Sequence, residues 1–210
     1  MTTASLSREE EVRAQFLQYT RNHELTILQD QGVYRHVRFR NPTSSSYWYD
    51  LITWPGNLVV NGDYGAYHFA RTYDMFEFFG DYAWGINPHY WGEKLCGAHP
   101  GRDGAKSYSH EVLRQQLRSW CKYHAAHNYD CEMYPDLVWG ALERQFLIET
   151  FDRTGAQAIL ESIMEDLDDW SLFEDSWEWD LRDYDWSFLW CCWAVVEGIK
   201  KYKEVKDAQG

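Results

Sequence analysis

Cys121, His124, His127 and Cys131 are of the residue types that bind zinc, and their spacing of three, three and four is helical. On a helix ending near Asn128 the first three share one face and Cys131 lies just beyond it. The spacing is nonstandard for zinc, and Trp120, Tyr123 and Tyr129 alternate with these residues as they would on a buried helix face with satisfied histidines. The expectation is no metal and no cofactor, with these four residues as the ones a metal would use. A cysteine nucleophile with a histidine base is a spatial arrangement that spacing does not certify. The chain has no nucleophile elbow, phosphate loop, dinucleotide fingerprint or helical zincin motif, so no catalytic residue is assigned.

A second group offers positive charge. His36, Arg38 and Arg40 alternate along one run, with Arg35 beside them and Tyr47, Trp48 and Tyr49 following. Arginines beside aromatic faces suit an anion or nucleotide. The same residues suit a solvated sheet face paired with Asp50 across a ladder, and both readings stand.

The third group is acidic. Between Glu161 and Asp185 there are 11 acids and one base, Arg182, so this stretch carries −10 of the net charge of −13. A row of carboxylates imitates duplex DNA, which bears one negative charge per ~1.7 Å of axis. Solvation of a helix and loop is the competing explanation. Trp170, Phe173, Trp177, Trp179, Tyr184 and Trp186 are interleaved with the acids, and aromatic anchors amid charge typify interface hot spots. The contact surface is therefore expected at Glu165, Asp168, Asp169, Asp175, Glu178 and Asp180, with Trp177 and Trp179.

These groups need elements to position them. From Val33 the apolar period is two, ending at Asn41-Pro42 and three serines; Tyr47 to Trp54 is a second β-rich run, Pro55-Gly56 a type II turn, Leu58 to Asn61 a third strand and Ala66 to Arg71 a fourth. Arg8 to Leu28 has an uneven helical stripe with a break at Asn22-His23, and reads as one or two helices. After Thr72 the pattern is helical: Asp74 is placed to cap a helix three residues before Glu77, Asn87-Pro88 opens a short helix over His89 to Leu95, and Ser107–His127, Pro135–Phe151, Ala156–Leu167 and Trp186–Lys203 follow. Cys96 to Ala105 reads as a loop. The expected fold is α+β: a four-stranded antiparallel meander covered by a predominantly helical C-terminal half, in one domain over residues 1–210, with 33–71 the sheet region and 72–206 the helical region.

The 210 residues are 18% aromatic and 45% hydrophobic, which excludes disorder, and the acidic balance excludes direct binding to nucleic acid or anionic lipid. The longest apolar run, Phe188 to Val196, is short of the ~20 residues that a membrane span needs. An odd set of five cysteines and a polar, charged start imply reduced thiols and a cytoplasmic protein. Cys191 and Cys192 read as buried packing residues.

Trp54-Pro55-Gly56, Gly62-Asp63-Tyr64-Gly65, Asp74-Met75-Phe76-Glu77-Phe78-Phe79, Ile86-Asn87-Pro88-His89-Tyr90-Trp91 and Phe188-Leu189-Trp190-Cys191-Cys192-Trp193-Ala194 resemble a widespread family of small phage and prophage proteins, mostly without assigned function. The resemblance covers the sheet region and the last helix, and residues 100–170 show no family pattern. It transfers no catalytic residue. It implies a host-cytoplasmic setting and an inhibitor of a host factor, such as an antiviral defence component. The expected partner is a host protein with a basic surface. The rival expectation is a sponge or hydrolase for a nucleotide signal at His36, Arg38, Arg40 and Trp48.

Overall fold

The β region begins earlier in the chain than its plain alternation implies. The computed structural model describes residues 7–80, 85–98, 104–127, 140, 152–166, 168, 172–173 and 175–209, without the side chains of 124–127. The chain divides into two compact units, Met1–Lys106 with Tyr184–Gly210, and Ser107–Asp183.

Unit 1 starts with α1 (Arg8–Thr20), whose first turn is closed by a reciprocal cap between Ser7 and Glu10. Six strands follow: β1 (Glu24–Gln31), β2 (Tyr34–Arg40), β3 (Tyr49–Trp54), β4 (Asn57–Gly62), β5 (Gly65–Ala70) and, after the short helices α2 (Met75–Gly80) and α3 (Pro88–Gly92), β6 (Leu95–Ala98). They form one antiparallel sheet in chain order. The final helix α6 (Trp186–Asp207) belongs to the same unit. In unit 2, α4 (His110–His127) and α5 (Arg153–Asp166) precede a single 3-10 turn at Ser176–Glu178. Two three-residue strands, β7 (Lys106–Tyr108) and β8 (Arg182–Tyr184), form a separate ribbon.

The α+β class and the four central strands are as expected, but the sheet has six strands rather than four. The first addition is β1, in a segment read as helix. Leu25 and Ile27 face inward between Glu24 and Thr26, a period of two that a bulge between Ile27 and Gln29 interrupts. The bulge leaves Leu28 exposed and hides the alternation. The second addition is β6, in a segment read partly as helix and partly as loop. It makes only three pairs with β5, through Leu95, Gly97 and Ala98, and Cys96 is skipped where the register shifts. Local propensity carries no sign of so short an edge strand. The cover on the sheet also differs from a helical C-terminal half: it comes from both chain ends, with α6 against β3, β4 and β5 and α1 and α2 against α6.

The turns explain the register. Pro55 and Gly56 join β3 to β4 with Trp54 opposite Asn57, and Gly56 has φ of 78°, as the third position of a type II turn requires. On the inner face Val37, Phe39, Tyr49, Leu51, Leu58, Val60, Tyr67 and Phe69 are buried against Phe188, Leu189, Trp190 and Val195 of α6. Gly198 permits this close approach: a Cβ there would lie 2.7 Å from Leu51 Cδ1. Trp190 is fully buried and meets Phe16, Tyr49 and Tyr64 at ring separations of 5.0, 5.6 and 4.8 Å. Cys191 and Cys192 are buried beside it, as expected of packing residues.

The core of unit 2 is separate. Leu113, Leu117 and Cys121 form a stripe four apart on α4, Ala156, Ile159, Leu160, Ile163 and Met164 a stripe on α5, and Leu172, Phe173 and Leu181 belong to the same cluster. The expected helix Pro135–Phe151 lies outside the described residues. Among the described residues no helix is long and apolar enough to cross a membrane.

Candidate functional site

The alternation of β2 sends its cations to opposite faces. Arg35 shares the inner face with Val37 and Phe39. Its guanidinium bonds both Asp74 carboxylate oxygens, at 2.9 and 2.7 Å, and lies 4.8 Å from the Phe76 ring centre. Asp74 also accepts from the Phe76 amide at 2.8 Å, so it caps α2 as expected while tying that helix to β2. Burial raises the Asp74 carboxyl, but the bonds from Arg35 and Phe76 outweigh it and hold its pKa below the ordinary 3.8.

On the outer face Arg38 lies opposite Asp50. Arg38 Nε and Nη2 donate to the two Asp50 oxygens at 2.9 and 2.8 Å, and His36 Nε2–H donates to the same carboxylate at 2.8 Å. Asp50 is only 3% exposed, and although burial raises its pKa the Arg38 and His36 bonds bring it below 3.8. Two of the three outer side chains, His36 and Arg38, are thus engaged by one carboxylate, the cross-ladder pairing that the sequence left open. Arg40 remains exposed. Arg38, Arg40, Ser45 and Trp48 line a shallow cleft of about 170 Å³, with the Arg38 guanidinium 5.9 Å from the Trp48 ring.

Tyr47, beside that cleft, has φ of 64°, a left-handed conformation costing a residue with a Cβ roughly 1–2 kcal/mol. Three contacts hold it. Its amide donates to the Asp63 carboxylate, its carbonyl accepts from His23 Nε2–H at 3.0 Å, and its ring stacks on Tyr19 at 4.4 Å. Asp63 N–H returns a bond to the Trp48 carbonyl at 3.2 Å. The Gly62–Gly65 turn is thus a clamp on the Tyr47-Trp48 segment, a role that its glycine spacing did not disclose.

In unit 2, Glu165, Asp168, Asp175 and Glu178 are exposed and meet no cation among the described residues. Asp180 is exposed too, and pairs with Arg182 at 2.8 Å. Asp169 lies outside the described residues. The two indoles separate: Trp177 is 65% exposed, whereas Trp179 is half-buried, 6.1 Å from the Phe173 ring. The turn carrying Trp177 is anchored by Arg153, which donates to the Trp177 carbonyl and, at 3.0 Å, to that of Trp179. Sequence patterning gave no hint of this clamp, because Arg153 is 24 residues away. Asp185, counted in the acidic run, caps α6 through the Ser187 amide at 2.9 Å.

Cys121 lies in the core of unit 2, where burial pushes its thiol up to about 11 and opposes the thiolate that zinc requires. The side chains of His124 and His127, and all of Cys131, lie outside the described residues. Among the described residues no three histidine, cysteine or carboxylate side chains are grouped to hold a metal.

Compared with family models, curated proteins and solved structures, the chain matches none.

Proposed function

We propose that this protein is a stoichiometric inhibitor that binds a basic surface of a host protein through unit 2, with the acids imitating a nucleic-acid backbone and Trp177 as the anchor. The observation that carries this reading is Trp177, an indole 65% exposed between exposed Asp175 and Glu178, on a turn fixed by Arg153. A large ring 65% exposed beside carboxylates that meet no cation among the described residues suits a partner with an apolar notch ringed by lysine or arginine. The phage setting rests on the sequence resemblance, and within it a component of antiviral defence is the target of choice.

The test is capture from host lysate on the immobilised protein at low and high salt, with Trp177→Ala and the triple reversal Asp168→Lys, Asp175→Lys, Glu178→Lys as controls. One basic host protein should be retained by the native chain, released by salt and lost with both variants. Retention of the same protein by the triple reversal would reject the acidic surface, and an unchanged phage-infection phenotype with either variant would reject the inhibitor.

A further inference from the structure

The outer-face cleft beside Trp48 has a construction that the pairing of Arg38 does not explain. Asp50 fixes Arg38 through Nε and Nη2, which leaves Nη1 unengaged at the cleft. The Arg40 side chain, two residues along the strand, has no ion pair or hydrogen bond among the described residues, and neither does the Ser45 hydroxyl. The far wall is Trp48, whose backbone is held by the Asp63 amide and whose neighbour Tyr47 is clamped in a left-handed conformation by His23 and Asp63. Backbone strain maintained by several independent contacts marks a segment whose placement matters. The Arg38 guanidinium and the Trp48 wall are therefore in place before any ligand arrives, and Arg40 and Ser45 are free to turn toward it.

Size limits the occupant. Pockets for whole small-molecule ligands start at ~300 Å³, and this cleft offers about 170 Å³. That excludes an enclosed nucleotide and leaves room for one tetrahedral group. Guanidinium nitrogens and a serine hydroxyl are donors that match phosphoryl oxygens. We propose that Arg40, Arg38 Nη1 and Ser45 bind a single phosphate group, either as inorganic phosphate or as the exposed end of a phosphomonoester, with Trp48 as the apolar wall. Glu24 stands opposite Arg40 in the β1–β2 ladder and Asp50 already neutralises Arg38, so the site is a weak one. Affinity in the millimolar range is expected.

The experiment is an NMR titration of the whole chain with inorganic phosphate, O-phosphoserine and AMP, each against chloride at matched ionic strength. Saturable shifts confined to the Arg40, Ser45 and Trp48 signals, with affinities for the three ligands within a few-fold of one another, are expected. Arg40→Ala should weaken binding about tenfold or more, and Ser45→Ala several-fold, with an unchanged near-UV circular dichroism spectrum. Shifts that chloride reproduces, or equal affinity in Arg40→Ala, would overturn the site. AMP binding more than tenfold tighter than phosphate would overturn the limit to one group.

Discussion

Unit 1 and unit 2 use charge in different ways. Unit 1 is nearly balanced, and its buried or half-buried carboxylates Asp74, Asp50, Asp30 and Glu197 are paired across elements with Arg35, Arg38, Lys206 and Arg13. Each pair joins segments distant in sequence, so its charges contribute to which packing is chosen. Unit 2 has 17 acids against 6 bases over residues 107–183. Several of its acids face solvent and meet no cation among the described residues, a condition that adds self-repulsion. The named charges of the first unit have partners within the fold, whereas Glu165, Asp168, Asp175 and Glu178 of the second have none among the described residues.

The largest effect that tests this contrast lies in the core of unit 1. Trp190→Ala removes a fully buried indole from contact with three aromatic rings and should cost on the order of 3 to 5 kcal/mol in a denaturant titration. An unchanged midpoint would break the picture of α6 as the centre of the unit. Next comes Asp74→Ala, which removes a helix cap and half of an ion pair together, leaving the Arg35 guanidinium without its partner; a loss of about 3 kcal/mol is expected. Asp74→Asn keeps a capping oxygen and should lose less. Equal losses would mean that the ion pair, rather than the cap, carries the effect.

Reversing Asp168, Asp175 and Glu178 to Lys should change stability by roughly 0.5 kcal/mol or less each, because exposed charges contribute little to folding. Partner capture should nevertheless be lost. A large destabilisation would put these acids in the same structural class as those of unit 1 and remove the contrast.

The sequence disclosed unit 1 better than its sites. Period-two runs and two-residue turns located β2 to β5, and the apolar run at Phe188–Val196 located the core helix, because those signals are local. β1 and β6 were lost because a bulge interrupts the alternation of one and the other is held by three pairs formed at long range. Among the site residues, the Asp50 pairing was legible from the alternation of His36 and Arg38. The division between exposed Trp177 and half-buried Trp179 was not, since both stand in the same acidic context and only the fold of unit 2 separates them. The clamps at Tyr47 and Trp177 were equally hidden, each depending on side chains more than fifteen residues away.

The smallest effect concerns His23, a buried ionisable side chain of unit 1 that is satisfied on a single side. His23 is 8% exposed, donates from Nε2 to the Tyr47 carbonyl, and has no partner at Nδ1 among the described residues. Burial lowers its pKa below the ordinary 6.5; the Tyr47 bond and Asp63 oppose this, and the Lys201 charge adds to it. The folded protein therefore binds fewer protons at this site than the unfolded chain just below pH 6.5. Its full contribution to stability is present above about pH 6.5 and is lost progressively as pH falls toward the lowered pKa. Asp30, Asp50 and Asp74 are held below 3.8 and do not titrate in that window. His23→Gln supplies an amide donor to Tyr47 without a titrating group, so stability measured from about pH 7 to about pH 5 should decline more in the native chain than in the variant. Parallel profiles would show that protonation of His23 has no linkage to folding, and would leave the clamp on Tyr47 to Asp63 and the Tyr19 ring.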